Sequence, residues 1–155
     1  MPIVNWRVLP AFTAPAGQVI KPWLLAFDSL GDGTHVRIEA DGEFLVSGDG
    51  MQRCGPDGLT NVNSIDKTRL LISDCPLGAL LGKIGGSSAL FSAVEKPNST
   101  ATAITEGQPF AIGAHLIATL PAKSIGQLYV GFNDLRRPVE IISLTVTASV
   151  ATPTF

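Results

Sequence analysis

The chain has 155 residues, 45% of them hydrophobic and only 15% charged; this supplies one well-filled core, is too short for two ordinary domains, and excludes global disorder. Sixteen glycines and eleven prolines break the chain too often for a helical bundle and suit short strands joined by turns. Eleven Lys and Arg against thirteen Asp and Glu leave a net charge of -2, so there is no broad basic field to hold nucleic acid or an anionic lipid surface.

The N-terminal stretch Met1-Pro2-Ile3-Val4-Asn5-Trp6-Arg7 lacks the basic and then apolar regions of a secretion signal. A cytoplasmic location is expected, with a non-classical export route as the alternative. No run approaches the roughly 18–20 apolar residues of a membrane span. In residues 34–41, Val36, Ile38 and Ala40 alternate with His35, Arg37, Glu39 and Asp41, the pattern of a half-buried strand. Asp41-Gly42 then reads as a turn, and Phe44-Leu45-Val46 as a second short strand ending at Gly48-Asp49-Gly50.

Residues 53–66, rich in Gly, Asn and Asp, and residues 93–107, rich in Ser, Thr and small residues, read as surface loops. Between and after them, residues 79–84, 109–112, 115–120 and 127–132 are short apolar segments bounded by Gly, Pro or Asn, each of strand length. Near the end, Ile142, Leu144, Val146 and Ala148 alternate with Ser143, Thr145, Thr147 and Ser149, which predicts a final strand with the first set inward. No long window keeps a helical stripe: residues 68–81 come nearest and are broken by Pro76 and Gly78. The expected fold is all-β, a sandwich in a single domain spanning residues 1–155.

Enzymatic chemistry finds little support. His35 and His115 are the only histidines, and no serine sits in a nucleophile elbow. The glycine-rich residues 78–87 carry Ile84 after Lys83 and have the wrong spacing for a phosphate-binding loop. Most of the aspartates fall at turns, where Asp bonds its own backbone. Cys54 and Cys75 form neither a metal motif nor a disulfide framework. They leave a single bridge open, worth about 3 kcal/mol if formed. Trp6 and Trp23 suit either burial or stacking on a sugar face. Asp134 stands where the segment Leu128-Tyr129-Val130-Gly131-Phe132-Asn133-Asp134 leaves a sheet for a loop. A carboxylate there can join carbonyl and amide oxygens around a hard cation.

Several landmarks, in order, resemble one family. The strand at residues 33–42 is followed by Cys54-Gly55-Pro56-Asp57-Gly58, by Pro76-Leu77-Gly78-Ala79-Leu80-Leu81-Gly82-Lys83-Ile84-Gly85, by Phe110-Ala111-Ile112-Gly113, and by Gly126-Gln127-Leu128-Tyr129-Val130-Gly131-Phe132-Asn133-Asp134. Together these are similar to the calcium-dependent, galactose-binding bacterial lectins of the PA-IL type, over about residues 16–150. The resemblance implies a jelly-roll-like sandwich of the galactose-binding-domain kind, a homo-oligomer, and a glycan partner. It also implies a calcium ion that takes two vicinal sugar hydroxyls into its shell. Carried over, the metal ligands are Asp134, the backbone carbonyl near Val46, and Asn133. The sugar contacts are Asp134 again, with Asp66 and Thr68 from the stretch at residues 65–68, which is equivalent to the loop carrying the family's His and Gln but has neither residue.

The chain departs from this pattern after Asp134. Residues 135–143 put Ile141 and Ile142 at the two remaining side-chain ligand positions, and isoleucine cannot ligate calcium. Glu140 could serve only with a shifted loop, and Arg136 and Arg137 bring positive charge to the same place. A segment at about residues 87–108 is longer than the family's link. Two functions follow as expectations: a carbohydrate-binding protein, or a sandwich that has lost its sugar site and serves structure, adhesion or a toxin partner. The scarcity of charge points to part of the surface being covered in an assembly.

Overall fold

A computed structural model describes residues 3–17, 19–20, 23–31, 33–48, 50–59, 67–72, 74–85, 104, 107–120, 126–136, 139–151 and 153–154. In chain order the strands are β1 (Ile3–Val4), β2 (Arg7–Val8), β3 (Phe12–Ala14), β4 (Val19–Ile20), β5 (Leu24–Phe27), β6 (His35–Gly48), β7 (Gly50–Cys54), β8 (Leu80–Ile84), β9 (Phe110–Ala111), β10 (His115–Thr119), β11 (Leu128–Phe132), β12 (Val139–Ala151) and β13 (Pro153–Thr154). One 3-10 turn, Lys67–Arg69, precedes β8. Among the described residues there is no α-helix, and no helix is long and apolar enough to cross a membrane. The all-β expectation holds.

Two antiparallel sheets carry the fold. The larger, seven-stranded sheet runs β10-β6-β12-β2, with β3 and β4 also pairing along β12 and β7 pairing with β6. The smaller runs β5-β11-β8-β9, and β1 pairs separately with β13. Their facing side chains form one core. Val36, Ile38, Phe44 and Val46 of β6 and Leu144, Val146 and Ala148 of β12 meet Leu80 and Ile84 of β8 and Leu128, Val130 and Phe132 of β11. Phe44 and Phe132 touch across the sheets edge to face, with ring centroids 4.6 Å apart and planes at 64°, the arrangement that sets a positive ring edge against a negative ring face.

Two sequence expectations need correction, and one feature explains both. Asp41-Gly42 is not a turn: β6 continues through it as one strand of 14 residues. Ile142 does not belong to the buried series either, because the β6–β12 register shifts between Ile141 and Ser143. Before that bulge Val139 and Ile141 face inward; after it Leu144, Val146, Ala148 and Val150 do. An extra residue in one strand reverses which side its alternate residues face. Gly42 stands opposite the bulge, pairing with Leu144, and a Cβ there would collide with the Ser143 carbonyl oxygen. The glycine that reads locally as punctuation is a point of close backbone approach.

Other segments also differ from their reading. Arg53 and Cys54 end a strand rather than begin a loop. Of the segment near residues 87–108, residues 87–103 and 105–106 lie outside the described residues, but Ile104 is only 5% exposed and joins the core. The outer face of the smaller sheet is covered as well. Trp23, Ile72, Leu81 and Tyr129 form a second cluster, with Leu71 and Cys75 against it. Lys83 is wholly buried beside it, its Nζ 4.9 Å from the Trp23 ring and 5.7 Å from that of Tyr129. Trp23 is therefore buried, while Trp6 lies half-exposed over Arg37.

The motif blocks that carry the family resemblance meet in space. Leu80 N–H donates to the Pro56 carbonyl, and Ile112 and Gly113 N–H donate to the Leu80 carbonyl. Gly78 N–H donates to the Asn133 carbonyl. Ala114 N–H donates to Asp57 Oδ1 at 2.9 Å.

Two outcomes are expected. Gly42→Ala should lower unfolding stability by about 1–3 kcal/mol through this backbone collision, measured by urea denaturation. At Gly55 a Cβ would make only an ordinary contact, so Gly55→Ala should stay within about 0.5 kcal/mol. Both thiols are free, and burial raises that of Cys54 from the ordinary value near 9 to about 11. Its thiolate fraction at pH 8 is then lower by about a hundredfold. Labelling of a Cys75→Ser variant with a disulfide reagent should be correspondingly slow at pH 8 and accelerate as pH rises toward 11; fast labelling at pH 8 in native buffer would contradict this.

Candidate functional site

The residues singled out around Asp134 sit where β11 ends, and their geometry follows from what buries them. Asn133, wholly buried, turns its side chain onto the loop of residues 72–76. Its Oδ1 accepts from Ile72 N–H at 3.0 Å, and its Nδ2 donates to the carbonyls of Ile72, Cys75 and Pro76 at 3.0–3.1 Å. The buried amide has its own oxygen and nitrogen paired in this way, and it ties the backbone at Ile72, Cys75 and Pro76 to the sheet end.

Asp134 comes next, with no side-chain exposure. Its Oδ2 accepts from Arg69 Nη2 at 2.6 Å, and its Oδ1 from Arg69 Nε at 3.4 Å and Arg136 N–H at 3.1 Å. The same Arg69 Nη2 donates to the Ser47 carbonyl at 2.9 Å. Ser47 directly follows Val46, whose side chain is buried in the core. One guanidinium thus draws together a carboxylate from the end of β11 and a backbone carbonyl from the end of β6. Leu135 N–H donates back to the Arg69 carbonyl at 2.6 Å, which fixes the 3-10 turn carrying the arginine.

Thr68, in the same turn, accepts from Arg136 Nη2 through its hydroxyl. Asp66 lies outside the described residues. Ile141 and Ile142 lie within β12, the first in the core opposite Phe44 and the second at the bulge. Among the described residues, no three of His, Cys, Asp and Glu cluster as a metal-binding group. The sequence reading passed over Arg69. The signal for it was indirect: a buried carboxylate needs a counter-charge, and Arg69 directly follows Thr68 in the chain.

A second place gathers polar groups. On the outward face of the seven-stranded sheet is a concavity of about 460 Å³, lined by Glu39, Ala40 and Asp41 of β6, Thr145 and Thr147 of β12, and Ala114 and His115 at the start of β10. The ladders place His115 beside Glu39 and Glu39 beside Thr147, with Asp41 beside Thr145. Directly paired residues point to the same face. No local motif announces this site, because it exists only through register across the strands.

The chain matches no protein-family model, and no curated protein matches it in sequence.

The Arg69–Asp134 pair is buried on the carboxylate side, so removing one partner strands a charge. Arg69→Met should cost about 3 kcal/mol in chemical denaturation. Arg69→Met combined with Asp134→Asn should cost measurably less than Arg69→Met alone, because the stranded charge is gone while the amide oxygen can still accept from Arg136 N–H. Additive losses in the double-mutant cycle would contradict the coupling.

Proposed function

We propose that this chain is a non-catalytic, carbohydrate-binding sandwich that works without calcium. The observation that carries the reading is the Arg69 guanidinium between the Asp134 carboxylate and the Ser47 carbonyl. In the lectins this chain resembles, a calcium ion takes that place beside the carboxylate. Here the chain's own side chain supplies the positive charge. Further support comes from the contiguity of the motif blocks, which bind one another through Pro56, Leu80, Ile112 and Asn133, and from the all-β sandwich itself. Loss of the two side-chain ligands at Ile141 and Ile142 fits the same reading, since an internal cation needs no outside shell of six to eight oxygens.

The second reading is a protein-interaction module, and a specific observation favours it. The Asp134 side chain is entirely enclosed, out of reach of a sugar hydroxyl, while Val8 and Ile117 are 63% and 49% exposed. They end one cross-strand row, Ile117-Arg37-Ser149-Val8, and exposed apolar side chains on a sheet face suit a partner surface.

A glycan array read in calcium and in EDTA separates the two. The carbohydrate reading expects binding to a defined glycan that survives EDTA, and no rise in melting temperature on adding calcium beyond about 1 °C. Binding that vanishes in EDTA and returns with calcium would overturn calcium independence. An array without hits, together with a specific protein captured in pull-down, would replace the carbohydrate reading with the second one.

A further inference from the structure

We infer that the saccharide site lies on the outward face of the seven-stranded sheet, in the concavity of about 460 Å³ framed by Glu39 and Asp41, His115, and Thr145 and Thr147. The inference rests on the carbohydrate reading but sits elsewhere than the sandwich end. Asp41 and Ser47 are six residues apart along β6, roughly 20 Å at strand rise.

The framing groups come from three adjacent strands whose backbones are locked in antiparallel ladders, so their positions are fixed before any ligand arrives. Preorganisation of this kind removes part of the ordering cost of binding. The volume falls within the about 300–1,000 Å³ of small-molecule sites. Its lining is unlike that of an apolar ligand's pocket. Carboxylates accept from hydroxyls, threonine hydroxyls both donate and accept, and an imidazole offers one of each. A ring bearing several adjacent hydroxyls answers all of these at once.

Charge disfavours an anionic ligand and leaves little net negative field to draw a strongly cationic one. Along the outward edge of β6, Glu39 is paired with Arg37 at 3.8 Å and Glu43 with Arg53 at 3.4 Å. Asp41, between them, makes no ion pair among the described residues. Two of the three acids are thus already countered by the chain, and one carboxylate with open acceptor positions faces the concavity. Hydrogen bonds from a neutral hydroxyl to a carboxylate are charge-assisted and stronger than those between neutral groups.

The test is an NMR titration of isotopically labelled full chain with galactose, glucose, mannose and N-acetylglucosamine at millimolar concentration in EDTA, with spermidine and lysine methyl ester as cationic probes. The expected result is that at least one sugar moves the amide resonances of residues 39–41, 114–115 and 145–147. Asp41→Asn and Thr145→Val, each with a native-like spectrum, should weaken that sugar by about tenfold or more. A sugar that moves only residues 67–69 and 133–136 overturns the location and leaves the carbohydrate reading standing. Shifts at the concavity from the cationic probes alone overturn the saccharide assignment. No response to any sugar, together with an empty glycan array, overturns both.

Discussion

The pairing of β6 with β12 is the constraint on which the rest depends. These are the two longest strands, in register from His35 opposite Ala151 to Leu45 opposite Glu140, and every other strand of the larger sheet attaches to one or the other. Side chains alternate with a period of two, so a slip by one residue would turn Leu144 and Val146 outward and bury Thr145. The single bulge before Ser143 reconciles two stretches of β12 whose apolar residues have opposite parity. It can do so because Gly42 offers no Cβ to the crowded Ser143 carbonyl. With that register set, the inward residues of β6 present Phe44 to Phe132 and anchor the smaller sheet. The outward residues of the same two strands line the polar concavity.

At the sandwich end, burial and charge are resolved by a covalently attached cation. An ionised carboxylate without solvent exposure is tolerated only with a counter-charge and enough donors to occupy its oxygens. Arg69 meets this need with a two-point grip on Asp134 and a third contact to Ser47. A metal ion in such a position stabilises in proportion to the logarithm of its free concentration over its dissociation constant; an arginine carried by the chain has no such dependence. The consequence is structural. The turn at Lys67–Arg69 is tied to β6 and β11 through Arg69, while Asn133 ties down the loop that follows. Neighbouring residues at the end of one strand thereby hold two successive pieces of irregular chain.

Much of the fold could be read from the amino acids, and the exceptions share a cause. Strands β8, β9, β10 and β11 fall on the short apolar segments because their limits are local events, glycines and prolines at the ends. The continuity of β6 was hidden because Asp41-Gly42 is a strong turn signal taken alone, and the need for Gly42 comes from Ser143, some hundred residues away in sequence. The displaced parity of Ile142 has the same origin. At the candidate sites, Asp134 and Asn133 stood out by position and motif, but their partners did not. Arg69 is an ordinary basic residue until it is known to face a buried carboxylate. His115 gains significance only from the ladder that sets it beside Glu39.

The scarcity of charge acquires a location in the same way. Charged residues are few in the chain, yet four of them, Arg37, Glu39, Asp41 and Glu43, alternate along one face of β6. Exposed pairs such as Arg37–Glu39 and Arg53–Glu43 contribute little to stability, so folding alone gives weak reason to concentrate them there. They do shape the potential of the surface, cancelling the acids on either side of Asp41 while leaving Asp41 itself uncompensated. A single open carboxylate on a rigid, otherwise neutral sheet is a directional acceptor rather than a diffuse negative field, and that distinction favours recognition by hydrogen bonding over attraction of counter-ions.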